Sequence, residues 1–242
     1  MLKKQLVIAL LGWPMLAGAV QVEADTSYEH MDESSRAPWK SAEARVLFDG
    51  DGIFKKWGGA AQTTERFGKN ATGAELFGVH QLSQGVAVET RISLSSGAEF
   101  AARRGVETSL YVGLPSALEL TATLGNKQYA ADSSTLLRVR LDRDFGPWRI
   151  GAGFTHDVQL NAQGGFGAVK FTTDGWSLAA HIAKGVEAER SETGAAIRMP
   201  VKAAALTGEF LVARDTRLRA TITRTITTAS RAGVNLGLIR TF

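Results

Sequence analysis

From residue 85 onward, apolar and polar side chains change places at almost every position. The clearest run is 85–95, where Val86, Val88, Thr90, Ile92 and Leu94 fall on one face and Ala87, Glu89, Arg91 and Ser93 on the other. Successive strand side chains point to opposite faces of a sheet, so this period of two predicts strands with one greasy and one wet face. The same pattern recurs at 106–113, 118–125, 137–142, 148–155, 176–182 and 217–222, with brief turn signals such as Gln84-Gly85, Pro115-Ser116, Gly146-Pro147 and Asp174-Gly175 between runs. The final segment, RAGVNLGLIRTF, alternates too: Val234, Leu236 and Leu238 oppose Asn235, Gly237 and Ile239.

Runs of about 9–11 residues suit tilted strands that cross a bilayer. A soluble sandwich alternates as well, but it keeps its charges outside, whereas a membrane barrel turns its aliphatic face to lipid and its charges to the lumen. The unbroken meander without helices, together with the two chain ends, favours an antiparallel up-and-down transmembrane β-barrel over residues 43–242. Fourteen segments can be drawn there. Merging or dropping two short ones leaves twelve with more ordinary turns, and twelve is the expected number.

At the N-terminus, Lys3 and Lys4 precede an apolar run over 6–16, interrupted by Pro14 and too short to span as a helix. Small residues at 17–19 and 22–24 offer cleavage after Ala19 or Ala24. The expected division is a signal peptide at 1–24, a polar periplasmic leader at 25–42 that lacks an apolar period, and the barrel at 43–242. Trp39, after Pro38, has a second option: to tuck into the barrel mouth. At the other end, Asn235, Gly237 and Phe242 resemble the C-terminal sorting signal of bacterial outer-membrane barrels, with Arg240 standing where that pattern has an apolar residue.

Composition adds three constraints. The chain has 242 residues and no cysteine, so neither a disulfide nor a thiol-linked lipid anchor is available. Its 26 glycines against 5 prolines suit tight turns and crowded strand faces. Charge is uneven: residues 25–51 hold seven acidic and three basic side chains, whereas 52–242 hold 23 basic and 16 acidic. Export, and arginines spread along strands, argue against nucleic acid as the partner.

Candidate chemistry concentrates on the wet face. Glu89, Arg91, Glu107, Glu119, Arg138, Arg140, Asp142, Arg149, Glu209, Arg217 and Arg219 all fall there. Two readings are open: cross-strand ion pairs that fill the lumen, or an arginine-rich conduit wall for an anionic or hydroxyl-rich solute. Catalysis is not expected. His156 and Asp157 are chain neighbours that point to opposite faces, and His181 shares a face with Ser177 without a recognisable nucleophile motif. No histidine pair has metal-ligand spacing, and Asp49-Gly50-Asp51-Gly52 lacks the remaining positions of a calcium loop, so it reads as a turn. No cofactor is expected.

The stretch Trp57-Gly58-Gly59-Ala60 to Thr64-Glu65-Arg66-Phe67-Gly68, with Leu118-Glu119-Leu120 and Leu124-Gly125 further on, resembles the barrel of YaiO-like outer-membrane proteins over about residues 57–242. That resemblance implies the cell outer membrane of a Gram-negative bacterium and an association with cell-surface polysaccharide, without a known reaction. The expected role is a conduit or accessory for polysaccharide export or solute passage. The rivals are a barrel enzyme acting on outer-membrane lipid and a sealed structural or receptor barrel. The expected partners are outer-membrane lipid and lipopolysaccharide, the barrel-assembly machinery and a surface polysaccharide, with the barrel itself a monomer.

Overall fold

A computed structural model describes residues 20–32, 38–50, 54–227 and 230–242. Among them lie β1 (Val20–Met31), β2 (Trp39–Asp49), β3 (Phe54–Arg66), β4 (Lys69–Ser83) and β5 (Val86–Gly97). Next come β6 (Arg104–Leu114), β7 (Leu118–Gln128), β8 (Ser133–Phe145), β9 (Trp148–Asp157) and β10 (Ala162–Thr172). The chain ends with β11 (Trp176–Arg190), β12 (Ala196–Ala213), β13 (Thr216–Ile226) and β14 (Ser230–Thr241). Each strand pairs antiparallel with its chain neighbours, and β14 pairs with β1 to close the ring.

The seam explains the aromatic chain end. The Phe242 N–H donates to the Val20 carbonyl at 2.8 Å, and the Val20 N–H donates to the Phe242 carbonyl at 3.4 Å. A closed barrel has no edge strand, so even the last residue has a partner.

Fourteen strands, not twelve, make the ring, and the segments differ from those drawn on the sequence. Residues 193–200 and 203–213 belong mostly to the single strand β12, which runs through Pro200. There Pro200 lies across from Val186 of β11, and the described pairing of β12 with β13 begins at Lys202, so the proline stands just beyond the end of that second ladder. The strand that makes up the number is β1, inside the stretch expected to be a leader. The leader at 25–42 is therefore corrected: Asp25–Met31 lies in β1, and β2 starts at Trp39. Part of the acidity that made this stretch look unfolded is lumenal. Glu23 and Asp25 face Arg219 from across the closing seam. The expected signal peptide falls largely on residues outside those described. Ala24, however, is paired with both Leu238 and Ala44. Cleavage there would remove part of the closing strand, whereas a cut after Ala19 leaves β1 whole.

Side-chain facing follows the alternation. Leu124, Leu137, Val139, Leu141, Ile150, Phe154, Leu178, Leu218 and Ile222 are exposed on the outside of the ring. An aromatic belt circles the end that carries both termini: Phe48 stacks on Trp57 with centroids 4.4 Å apart, and Phe171 lies between Trp148 and Trp176 at 4.7 and 5.4 Å. Turns at that end are short, and the longer connections lie at the other. Outer-membrane barrels place short turns on the periplasmic side, which orients this one.

The outward face carries the first expected result. Val139 is central in β8 and 50% exposed, between lumenal Arg138 and Arg140. Val139→Arg is expected to cost about 2–4 kcal/mol in a lipid-vesicle folding titration, while Tyr111→Arg, inside the ring beside Glu89, is tolerated. Equal tolerance would mean the facing is reversed.

Candidate functional site

The lumenal charges are gathered into three clusters. On β7–β9, Asp142 is almost fully buried and meets Arg140 at 2.7 Å and Arg149 at 3.5 Å. Arg149 also donates to Glu119 at 2.5 Å and reaches Asp144 at 3.3 Å. On β2, β4 and β5, Glu75 lies between Arg91 at 3.3 Å and Arg45 at 3.8 Å. Arg45 also pairs with Glu43 at 2.9 Å, and Arg91 bonds Glu89 closely. Both guanidiniums of this cluster flank the Phe77 ring, at 5.6 and 5.7 Å from its centroid. Across the ring, Arg219 meets Asp25 at 2.7 Å, Glu23 at 3.7 Å and Glu209 at 3.9 Å.

Glycines make room for these clusters. Gly151 stands directly across from Asp142, and a Cβ there would fall on the Asp142 carboxylate. Gly237 stands across from Asp25 in the same way, with the Arg219 Nε 3.3 Å from where its Cβ would be. Two residues of the expected sorting signal thus have local reasons: Gly237 clears space for an ion pair, and Phe242 closes the seam. Asn235 faces the lumen between Ser27 and Thr221. Arg240 is compensated at the periplasmic rim, over the Phe242 ring at 4.7 Å and 3.3 Å from Asp215. The Thr216 hydroxyl, with help from Arg240, holds the Asp215 carboxyl below its ordinary range.

Of the residues singled out on the sequence, Glu89, Arg91, Glu107, Glu119, Arg138, Arg140, Asp142 and Arg149 line one central cavity of about 840 Å³. Ser109, Tyr111, Thr121, Thr123 and Lys170 add hydroxyls and a further cation to its wall. Glu209 and Arg219 sit on the far wall, and Arg217 is exposed near the periplasmic rim. The three cavity-lining arginines of β8 and β9 are not equivalent. Arg140 and Arg149 are held by carboxylates, whereas Arg138 and Lys170 form no ion pair among the described residues.

The outer mouth is capped. Trp39 and Phe100 are 5% and 7% exposed. Phe67 packs edge-on to both, with centroids 5.6 Å from Trp39 and 6.3 Å from Phe100. Arg66 lies over the Trp39 ring at 4.0 Å and Arg231 at 4.5 Å. Arg231 is tied to Glu189 at 3.2 Å. Beside them Arg190 stacks on Tyr129 at 3.7 Å and pairs with Asp132 at 2.6 Å. Phe67 adopts φ 55°, an uncommon backbone for a bulky residue, in the two-residue turn it forms with Gly68. Beneath the cap lies a second cavity of about 440 Å³ that shares Arg91 and Glu107 with the first. Among the described residues these two chambers share Arg91 and Glu107, and rings and guanidiniums narrow the way out above them.

Sequence reading missed the cap almost entirely, along with Arg45, Glu75, Lys170 and the acids of β1. Alternation around Glu75 and Leu76 could have placed Glu75 on the wet face. Nothing local could bring Trp39, Phe100 and Arg231 together, since they come from β2, a loop and β14. The catalytic rival finds little here: His181 and Ser177 share the lumenal face of β11, yet no hydrogen bond joins them. Among the described residues no cluster of three metal-ligating side chains occurs. The Asp49–Gly52 turn extends in part outside the described residues.

Comparisons with known proteins agree with this architecture. A family model described as the YaiO membrane beta barrel domain matches residues 19–157. No curated protein sequence matches the chain. Among solved structures, the CymD monoaromatic hydrocarbon channel is similar with a TM-score of 0.65 at 8% identity, over 94% of this chain and 89% of that one. The outer membrane protein Omp33 of Acinetobacter baumannii gives 0.59 at 10% identity, over 93% of this chain and 100% of that one. An outer membrane channel from Pseudomonas putida F1 gives 0.56 at 14% identity, over 95% and 97%. Identities this low speak for the fold alone. Fold and family match together assign the barrel to the outer membrane of a Gram-negative cell.

Proposed function

Since the chain belongs to the YaiO membrane β-barrel family, we propose that it is a narrow outer-membrane conduit for hydroxyl-rich solutes of saccharide size, serving the passage or export of surface polysaccharide. The observation that carries this reading is the wall of the central cavity. It presents guanidiniums, carboxylates and hydroxyls side by side, and most of its charges are already mutually paired. A wall of fixed donors and fixed acceptors matches a sugar hydroxyl, which is both at once. Strong preference for anions does not follow from such a wall, because its arginines are largely neutralised. No enzymatic step is part of this function.

Purified protein in liposomes provides the test. Swelling in neutral hexose solutions is expected, and planar-bilayer currents should show only weak ion selectivity. Replacing the two cavity cations without ion pairs, Arg138→Gln with Lys170→Gln, should shift the reversal potential toward cations, more so at low salt where charges are poorly screened. The cap favours one rival, a sealed structural barrel. Absence of hexose permeation, both in the intact protein and after the cap is opened, would establish that rival and end the conduit reading.

A further inference from the structure

We infer that the outward face of β11–β13 carries a docking site for the phosphate of an outer-leaflet lipid, built on Lys184 and Lys202. The two lysines are directly opposite each other in the β11–β12 register. Both are exposed. Lys184 shares its face with Ile182, which is 67% exposed, and Lys202 is directly across from Ile226 on its other side, also an outward residue. Alternation with these residues turns both side chains toward lipid, while the Lys184 main chain, whose carbonyl lies beside Gly164, is part of the wall of the central cavity.

Like charges directly opposite on a sheet destabilise it, and a charge on the lipid face adds its own cost. Among the described residues neither lysine has an ion pair. Their cross-strand and same-face neighbours, Gly165, Ile182, Ala204, Val186, Pro200 and Ile226, carry no carboxylate. The next cation on this face, Arg224, is diagonal to Lys202 and already holds Asp32 at 2.9 Å. Two uncompensated ammonium groups side by side define a position for an anion supplied from outside the chain.

Height decides which anion. Lys184 is eight residues above Trp176 of the periplasmic aromatic belt. At about 3.3 Å per residue and a strand tilt of about 40°, that is roughly 20 Å toward the outer surface, near the top of a hydrophobic band about 25 Å tall. Four-carbon stems let both ammoniums reach on to the headgroup layer of the outer leaflet. The charge there is phosphate borne by lipid, and two lysines meet it as point charges without demanding a fixed geometry. This inference rests on the membrane location and the outward facing, and it is independent of what the lumen conducts.

The Lys184→Gln/Lys202→Gln double variant tests it, with thermal unfolding as the readout. In neutral detergent the double variant should be at least as stable as the wild type, because a like-charge contact has been removed. In phosphatidylcholine vesicles, adding lipid A should raise the wild-type midpoint, and the double variant should lose that rise. Lys40→Gln, which alters an ion-paired cation elsewhere on the barrel, should keep it. Inorganic phosphate in neutral detergent should not reproduce the effect. An undiminished lipid A response in the double variant, an equal loss in Lys40→Gln, or full replacement by inorganic phosphate would each overturn the proposal.

Discussion

Replacing Trp39 and Phe100 together by Ala is expected to raise the single-channel conductance of the barrel several-fold while leaving the ring folded. Both rings sit at the outer mouth, and neither belongs to the hydrogen-bonded middle of a strand: Trp39 is the first residue of β2, and Phe100 lies in the β5–β6 connection. Trp39 is the hub, since it holds Arg66 and Arg231 on its ring and receives the edge of Phe67. Contacts of this kind contribute about 0.5–2 kcal/mol each when partly desolvated. Losing several at once should free Arg66 and Arg231 to swing to the walls. Planar-bilayer recording measures the outcome, and heat-modifiable gel mobility checks that the barrel persists. Unchanged conductance in a folded double variant would mean that the constriction lies elsewhere, at Arg91 between the two chambers.

The largest effect on stability is expected from Asp142→Ala. The Asp142 side chain is 2% exposed, and it is the carboxylate shared by Arg140 and Arg149. Removing one member of a buried ion cluster leaves the others desolvated and unpaired, at a cost of about 3–5 kcal/mol. Arg149 keeps Glu119 and Asp144, but among the described residues Arg140 keeps no carboxylate. The comparison is Arg138→Ala on the same strand. Arg138 has no ion pair among the described residues, so that change should cost well under half as much. Denaturant titration of both variants in lipid vesicles would show the contrast. Similar losses for the two would mean that the β8 clusters contribute little and that the lumen is wetter than its ion pairs suggest.

The acidic first strand shows how the two halves of the chain depend on each other. Residues 20–31 have a weak outward face, Val22, Ala24, Thr26 and Tyr28, and an inward face rich in acids. Taken alone they look like a polar leader. Only closure reveals that Glu23 and Asp25 neutralise an arginine almost two hundred residues away. The uneven charge of the chain is in this sense one arrangement: an acidic start lies against a basic end. β12 gives the opposite lesson. Pro200 argues locally for a break, yet the strand continues because its pairing with β11 runs on past it to Ala196.

Much of the candidate site was legible from alternation alone. Eight of the eleven charged positions singled out on the sequence line the central cavity, and Glu209 and Arg219 meet each other, since a period of two leaves little freedom once one face is greasy. Which of them pair was not legible, because pairing depends on register across strands and on glycines such as Gly151 and Gly237 that clear the space.

The sequence by itself determined the class of fold and the lipid and lumenal faces of its strands, because these follow from a local period of two. Tertiary structure alone decided the number of strands, the partners of each lumenal charge, the capped outer mouth and the opposed lysines on the outer face. Each of those arises where residues distant in sequence are brought to one height on the ring. That height is set by the stagger of fourteen strands closing on one another, and no local pattern encodes it.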